Sequence, residues 1–427
     1  MGLCIAQTPR TMYNYGVYSH QPASPRVGIL SQWGIVLFEE VSVLMVRPHG
    51  GKLVDRALKG KEADAAAKDI PKMKSLTLDR MSVVDLRNIG VGRYSPLEGF
   101  IGKADLESVV KTTRLKSGVV WSIPILLDVN EDEARDLKEG EDVCLKDEAG
   151  KPIAILHLNE KYSYSKEAIA KSVFGTNDLN HPGVKSTMEM KDIFLGGQID
   201  LVDTSKEPFP KYNLTPSETR QVFEEKGWKT VAGFQTRNAP HNGHEYMQKV
   251  VLSMVDGLFI NPVIGKKKQG DFTDEAILRA YDVLLADYFP KDRVFMSILP
   301  MEMRYAGPKE AIHHAIIRKN FGCTHLIVGR DHAGVGKYYE PEAAIEIFKG
   351  FGDLEISPLT IRGDFFHCKK CAQLESERTC PHGDDQKIKF SGTVIRKMLM
   401  EGGSPPPEIF RPEVFEALRQ LKNPFVE

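Results

Sequence analysis

The chain has 427 residues, of which 41% are hydrophobic and 27% charged, with a formal net charge of −1. That length exceeds one ordinary core and implies about two to three domains. The near-neutral balance excludes a global basic field that would draw the chain to nucleic acid or a membrane surface. Six cysteines, three of them between Cys368 and Cys380, argue for a reducing compartment and a metal site over a disulfide framework.

Residues 1–44 stand apart. Met1 to Ser31 is rich in Tyr, Ser, Pro and Gln, has no acid and keeps no steady period. Val27 to Val46 is fairly apolar, but Glu39 and Glu40 interrupt it, so no membrane span is expected. The basic start, apolar middle and small-residue cleavage site of a signal peptide are lacking, and the missing acids alone make a weak case for a transit peptide. The segment reads as a disordered extension or an upstream read-in, with Met45 as the natural beginning.

Residues 45–210 read as a β-rich domain. Strand-like runs cover 119–129 (VVWSIPILLDV) and 142–158, a helical stretch covers 106–113, and KDEAGK (146–151) supplies a hairpin turn. Pro208 to Pro216 carries three prolines and is the expected linker. Thr215, Pro216 and Glu218 then spell a helix start with a capping box. Residues 211–365 alternate strand and helix: strand 230–234, helix 244–255, strand 258–264, helix 273–288, strand 293–299, helix 308–320 and strand 324–329. Crossover helices of that length predict an α/β fold with a parallel doubly wound sheet, which takes ligands at the carboxyl ends of its strands. Residues 366–427 complete the chain as a small zinc-bearing, helical region.

The polar clusters fall at those strand ends. TVAGFQTRNAPHNGHE (230–245) places Gln235, Arg237, Asn238, His241 and His244 between a strand and a helix, where free backbone N–H groups and the helix dipole favour an anion. Histidines that only cap and pack are the bland alternative for one His-x-x-His; five donors within ten residues weigh against it. A zinc pair would need a third ligand and would sit beside the repelling Arg237. NPVIGKKKQGD (261–271) is either a solvated turn or a set of anion contacts. Met303 and Arg304 follow another strand; His313 and His314 read as packing or surface residues of a helix. Gly329 to Gly336 (GRDHAGVG) offers backbone N–H groups and Arg330. Ser391, Gly392 and Thr393 open a short helix, with Arg396 one turn in. Cys368-x-x-Cys371, Cys380 and His382 form a tetrahedral metal set that leaves no open position, hence a structural Zn²⁺; His367 or Asp384 could replace His382 as fourth ligand.

GFQTRNAPHNGHE resembles the phosphate-binding signature of the ATP sulfurylases (sulfate adenylyltransferases), a variant of the His-x-Gly-His element of adenylyl-transferring α/β enzymes. The likeness runs from about Met45 to Glu427. It takes in VRPHGGKLVDRAL, NIGVGRYSPLEGFIG (88–102), HPGVKSTMEMKDIFLGG (181–197), the Pro-x-x-Gly-x-x-Lys-x-Gly-Asp block, Gly-Arg-Asp-His-Ala-Gly and Ser-Gly-Thr-x-x-Arg. Val335 stands where many members have Pro. The resemblance implies that residues 45–210 are a PUA-like domain, and that the zinc loop is of the kind some bacterial members carry. It further implies adenylyl transfer from ATP to sulfate, with Gln235, Arg237 and the Ala333 backbone N–H on sulfate. Asn238, His241 and His244 would contact the ATP phosphates, with Arg330 at the α-phosphate and Mg²⁺ arriving with ATP. Family habit implies a cytoplasmic homo-oligomer, with no nucleic-acid or membrane partner. No Gly-x-x-x-x-Gly-Lys-Ser/Thr loop occurs, so no fused kinase is expected. The competing readings are an adenylyltransferase with another acceptor and a non-catalytic nucleotide- or RNA-binding protein. A class I aminoacyl-tRNA synthetase would also need a lysine-rich partner motif and a basic tRNA surface.

Overall fold

The computed structural model describes residues 46–360, 364–390 and 392–427, with only the backbone of residues 392–394. Residues 1–44, Ser391 and the side chain of Thr393 therefore lie outside the described residues.

The amino-terminal half is built on a mixed sheet of β1 (Lys74–Thr77), β2 (Gly99–Phe100), β3 (Leu127–Val129), β4 (Asp142–Lys146), β5 (Pro152–Tyr162) and β6 (Ile193–Leu201). The order is β1-β4-β5-β6-β2, with β3 also paired to β6. β4 and β5 form the expected hairpin, closed where Gly150 N–H donates to the Asp147 carbonyl. The apolar run 119–129 is a correction to the strand expectation, since only Leu127–Val129 forms a strand and Val120 makes just an isolated bridge to Arg114. Pro124 has no N–H for a ladder, so Trp121, Ile123 and Ile125 are buried as irregular chain.

The second half holds β7 (Val231–Thr236), β8 (Gly257–Ile264), β9 (Val294–Met296), β10 (Leu299–Pro300), β11 (His325–Ile327) and β12 (Ser357–Leu359). Every pairing among them is parallel, in the order β10-β8-β7-β11-β12 with β9 on β8. The single strand expected over 293–299 is divided because the linker reaches in: Tyr212 O accepts from Ile298 N–H and from the Ser297 hydroxyl. The linker delivers the chain to helix Pro216–Glu225, whose capping box on Thr215 and Glu218 is formed as expected.

The chain moves outward from β7 to β8, then returns across to β11 on the other flank. Order reverses there, so a crevice opens between the carboxyl ends of β7 and β11. Period-2 alternation divides the sheet's side chains between two cores. Ala232, Phe234, Leu258, Ile260 and Ile327 face helices Asn242–Leu252 and Asp274–Tyr288. Val231, Phe259, Val263 and Leu326 face helix Pro308–Phe321 in a core continuous with the amino-terminal sheet. That helix lies between the two sheets, and Glu310 to Phe321 are all buried. His313 and His314 are thus interior residues, each 0% exposed. A third, antiparallel sheet, β14-β13-β15, is formed by β13 (Phe365–Cys368), β14 (Gln373–Ser376) and β15 (Lys387–Lys389).

Candidate active site

The first turn of helix Asn242–Leu252 is capped by its own histidines. His241 is the N-cap, and its Nδ1 accepts from His244 N–H at 3.3 Å; His244 Nδ1 accepts from His241 N–H at 3.4 Å. With both Nδ1 atoms accepting, each ring carries its proton on Nε2 and offers a donor away from the helix. The rings stack at 3.8 Å and 18°. Burial, then the neighbouring imidazole, holds His241 well below its usual value, and burial takes His244 down to about 4. Both are therefore neutral donors at physiological pH. Gly243 is required between them, since a Cβ there would stand 2.8 Å from Phe390 Cδ2 and 3.0 Å from His241 Cε1.

A cavity of about 490 Å³ opens beside the pair, at the reversal point. His241, Gly243, His244 and Met247 line one wall, Gly329, Arg330 and Asp331 a second, and Phe365, Phe366, Lys389 and Phe390 of the antiparallel sheet a third. Phe390 stacks on His241 at 5.1 Å and 6°, so the antiparallel sheet forms part of the site. Arg330 shares its charge with Asp331 at 3.4 Å and Asp364 at 3.5 Å. A larger cavity of about 950 Å³ lies beside the linker, where Arg87 pairs with Asp203 and Lys206 with Glu218.

Of the sequence candidates, His241, His244 and Arg330 share this cavity lining, whereas Gln235, Arg237, Asn238 and Ala333 are not on it. Gln235, on β7, has a buried Oε1 with no hydrogen-bond partner. Arg237 follows β7 directly and donates to Tyr305 Oη at 3.2 Å and to Lys266 O at 2.8 Å. Among the described residues it has no ion-pair partner. Asn238 is exposed, and its backbone closes a turn with the Thr236 hydroxyl. Ala333 has φ 54°, and its carbonyl accepts from Gly307 N–H at 3.0 Å. In the lysine-rich loop, Lys267 is buried and paired with Asp274 at 3.0 Å, and Lys268 Nζ sits 5.4 Å from the Tyr305 ring centre. Arg396 pairs with Asp271 at 3.2 Å. Sequence reasoning missed Tyr305 and Phe390, although each adjoins a residue that it singled out.

Cys368, Cys371, Cys380 and His382 converge, their ligand atoms all within 4.8 Å of one another. His382 Nδ1 lies 3.4, 3.3 and 3.5 Å from the three sulfurs, and Cys371 Sγ lies 3.9 Å from Cys380 Sγ. A zinc tetrahedron with Zn–S about 2.3 Å and Zn–N about 2.0 Å has edges of about 3.5–3.8 Å, so this set fits a metal ion such as zinc. His367 follows the opposite face of β13 from Cys368, and Asp384 is paired with Lys387; neither belongs to the convergent set.

A reversed parallel sheet, paired imidazole donors at a helix amino end and an arginine on the facing strand tip define an α/β nucleotidyltransferase. A family model described as ATP-sulfurylase matches residues 210–421, and one for a PUA-like domain matches residues 46–204. The sulfate adenylyltransferase of Ignicoccus hospitalis is 51% identical over 90% of this chain and 100% of its own length. That of Hyperthermus butylicus is 49% identical over 90% of this chain and 98% of its own. The hexameric APS kinase from Thiobacillus denitrificans shares the fold, with TM-score 0.70 at 23% identity over 89% of this chain and 69% of that one. The chain belongs to the sulfate adenylyltransferase family: it is an enzyme that transfers the adenylyl group of ATP to sulfate.

Proposed function

We propose that Gln235, Arg237 and the backbone N–H of Ala333 hold sulfate, while Asn238, His241 and His244 hold the ATP phosphates. Arg330 attends the α-phosphate, and Ser391, Gly392 and Thr393 complete the nucleotide end. A sulfate oxygen attacks the α-phosphorus in line; the O–P bond forms as the bond to the β-phosphate oxygen breaks, and pyrophosphate leaves with its electron pair. Sulfate is already ionised, so no general base is required, and catalysis consists of positioning two anions and neutralising charge on the leaving group. The observation that carries this reading is the stacked pair His241 and His244, whose Nδ1 atoms are both engaged by backbone N–H groups. Two neutral Nε2–H donors remain for phosphate oxygens.

Mg²⁺ enters with ATP. The cavity carries Asp331, Asp364 and Glu377, yet the described residues offer one convergent metal-ligand group, the Cys₃His set. Cys368, Cys371, Cys380 and His382 would hold Zn²⁺ as a structural cross-link of the three-stranded sheet whose last strand leads to Lys389 and Phe390. Residues 45–210, 211–365 and 366–427 act as the PUA-like, catalytic and metal-bearing domains. The enzyme works in the cytoplasm as a homo-oligomer. In support, no described helix is long and apolar enough to cross a membrane, the described cysteines are unpaired, and a protein of this fold is a hexamer. Sulfate-dependent exchange of labelled pyrophosphate into ATP tests the assignment. His241→Ala is expected to lower that exchange by about 10²–10³-fold, and wild-type exchange in this variant would overturn the residue roles.

A further inference from the structure

Tyr305 has φ 59°, a left-handed backbone that costs free energy for any residue with a Cβ. Such a conformation persists only where its surroundings over-determine it, and here they do. On the carboxyl side, Arg304 N–H and Ala306 N–H both donate to the Glu310 carboxylate, at 3.0 and 2.9 Å. On the other side the contact comes from the amino-terminal half. His181 caps helix Pro182–Glu189, its Nδ1 accepting from Gly183 N–H at 3.1 Å and Val184 N–H at 3.3 Å. Nε2 must then carry the proton, and it lies 3.1 Å from both Tyr305 O and Tyr339 Oη. The Tyr339 hydroxyl donates to the same Tyr305 carbonyl at 3.1 Å. The approach is close enough that a Cβ on Gly183 would stand 2.4 Å from the Arg304 carbonyl oxygen.

The outer end of Tyr305 meets the candidate sulfate-binding cations. Its hydroxyl accepts from Arg237 Nη1 at 3.2 Å, and Lys268 Nζ stands 5.4 Å from its ring centre. Among the described residues Arg237 has only neutral acceptors, Tyr305 Oη and Lys266 O. Its charge is left for a ligand while its planar fork is aimed by the phenol. An acidic neighbour in place of the phenol would aim the guanidinium equally well and cancel the charge that sulfate needs.

We infer that Tyr305 is a positioning residue for the sulfate pocket, and that His181 of the amino-terminal domain sets it through the Tyr305 carbonyl. The domain that supplies none of the proposed sulfate or ATP contacts thereby takes part in oxyanion recognition. This rests on the reading that Arg237 holds sulfate.

The test measures KM for sulfate and for ATP separately in the exchange assay. Tyr305→Phe removes one oxygen and is expected to raise the sulfate KM about tenfold, with the ATP KM changing by less than about twofold. His181→Leu is expected to raise the sulfate KM likewise, and His181→Gln, which can place an N–H near the Nε2 position, to restore part of it. In the Tyr305→Phe background the His181→Leu increment is expected to shrink, because the two act in series. Should His181→Leu fail to fold, Tyr339→Phe takes its place in the cycle. Equal shifts in both KM values, or fully multiplicative effects of the two substitutions, would overturn the inference. Arg237→Lys separates the two levels. An unchanged sulfate KM there sinks the reading of the site itself; a raised one beside an unaffected Tyr305→Phe sinks the positioning role alone.

Discussion

Two short-spaced histidine pairs occur in this chain, and they occupy opposite environments. His241 and His244 stand at a strand tip with each Nδ1 satisfied by a backbone N–H, facing a cavity. His313 and His314 lie inside the helix between the two sheets. His313 packs against Tyr94 and Trp121 with neither ring nitrogen hydrogen-bonded, and His314 Nδ1 meets His332 Nε2 at 2.9 Å. Burial keeps all four neutral. Neutrality alone therefore says nothing about function. Position decides: one pair ends a strand beside an opening, and the other is enclosed by side chains.

The sharpest way to break this contrast is to replace one histidine of each pair by an apolar side chain. His241→Phe is expected to lower pyrophosphate exchange by about 10²-fold or more, with a modest fall in thermal midpoint from the lost N-cap acceptor. His313→Leu is expected to keep its exchange rate and unfold at an equal or higher temperature, because it removes two unpartnered buried polar atoms for an apolar side chain of similar volume. A loss of activity in the second variant would show the interior pair to be functional.

Acid should act on the buried histidines, inside and outside these pairs, through stability. The unfolded chain takes up protons near the ordinary imidazole value of about 6.5, whereas His49 and His244 in the folded chain do so only at about 4, and His332 at about 3. The unfolded state thus binds more protons across that window, and stability falls as pH drops from about 6.5 towards 4. For the buried His49 alone the full effect is about 3 kcal/mol. Denaturant midpoints measured between neutral pH and pH 4 check the direction. The active-site imidazoles are expected to add no inflection near 6.5 beyond that of the phosphates of ATP and pyrophosphate, which ionise near there themselves, since charging either imidazole requires stronger acid.

The smallest expected effect comes from the metal. Stripping it with a chelator should release the sheet carrying Phe390, which stacks on His241. The expected result is a several-fold rise in the ATP KM and a lower melting temperature. An unchanged ATP KM in metal-free enzyme would confine the metal to a role in folding.

The strand tips were readable because apolar runs of β-branched residues end there in Gly, Arg and His. The capping box at Thr215 and the Cys-x-x-Cys were readable because each is local. Strand order was not, and order is what opens the crevice between β7 and β11. Nor could local pattern expose Tyr305, whose contacts cross 68 residues to Arg237 and 124 to His181. The run 119–129 misled for the opposite reason. Its apolar residues are buried as a strand's would be, yet their backbone follows an irregular path around Pro124.

The helix Pro308–Phe321 has no face turned to solvent. Dividing the protein at the linker would leave Ile312, Ile316 and the neighbouring Trp121 bare on the two fragments, two sticky halves in place of two modules. The chain is thus divisible on paper by its sheets, but its interior has already merged them.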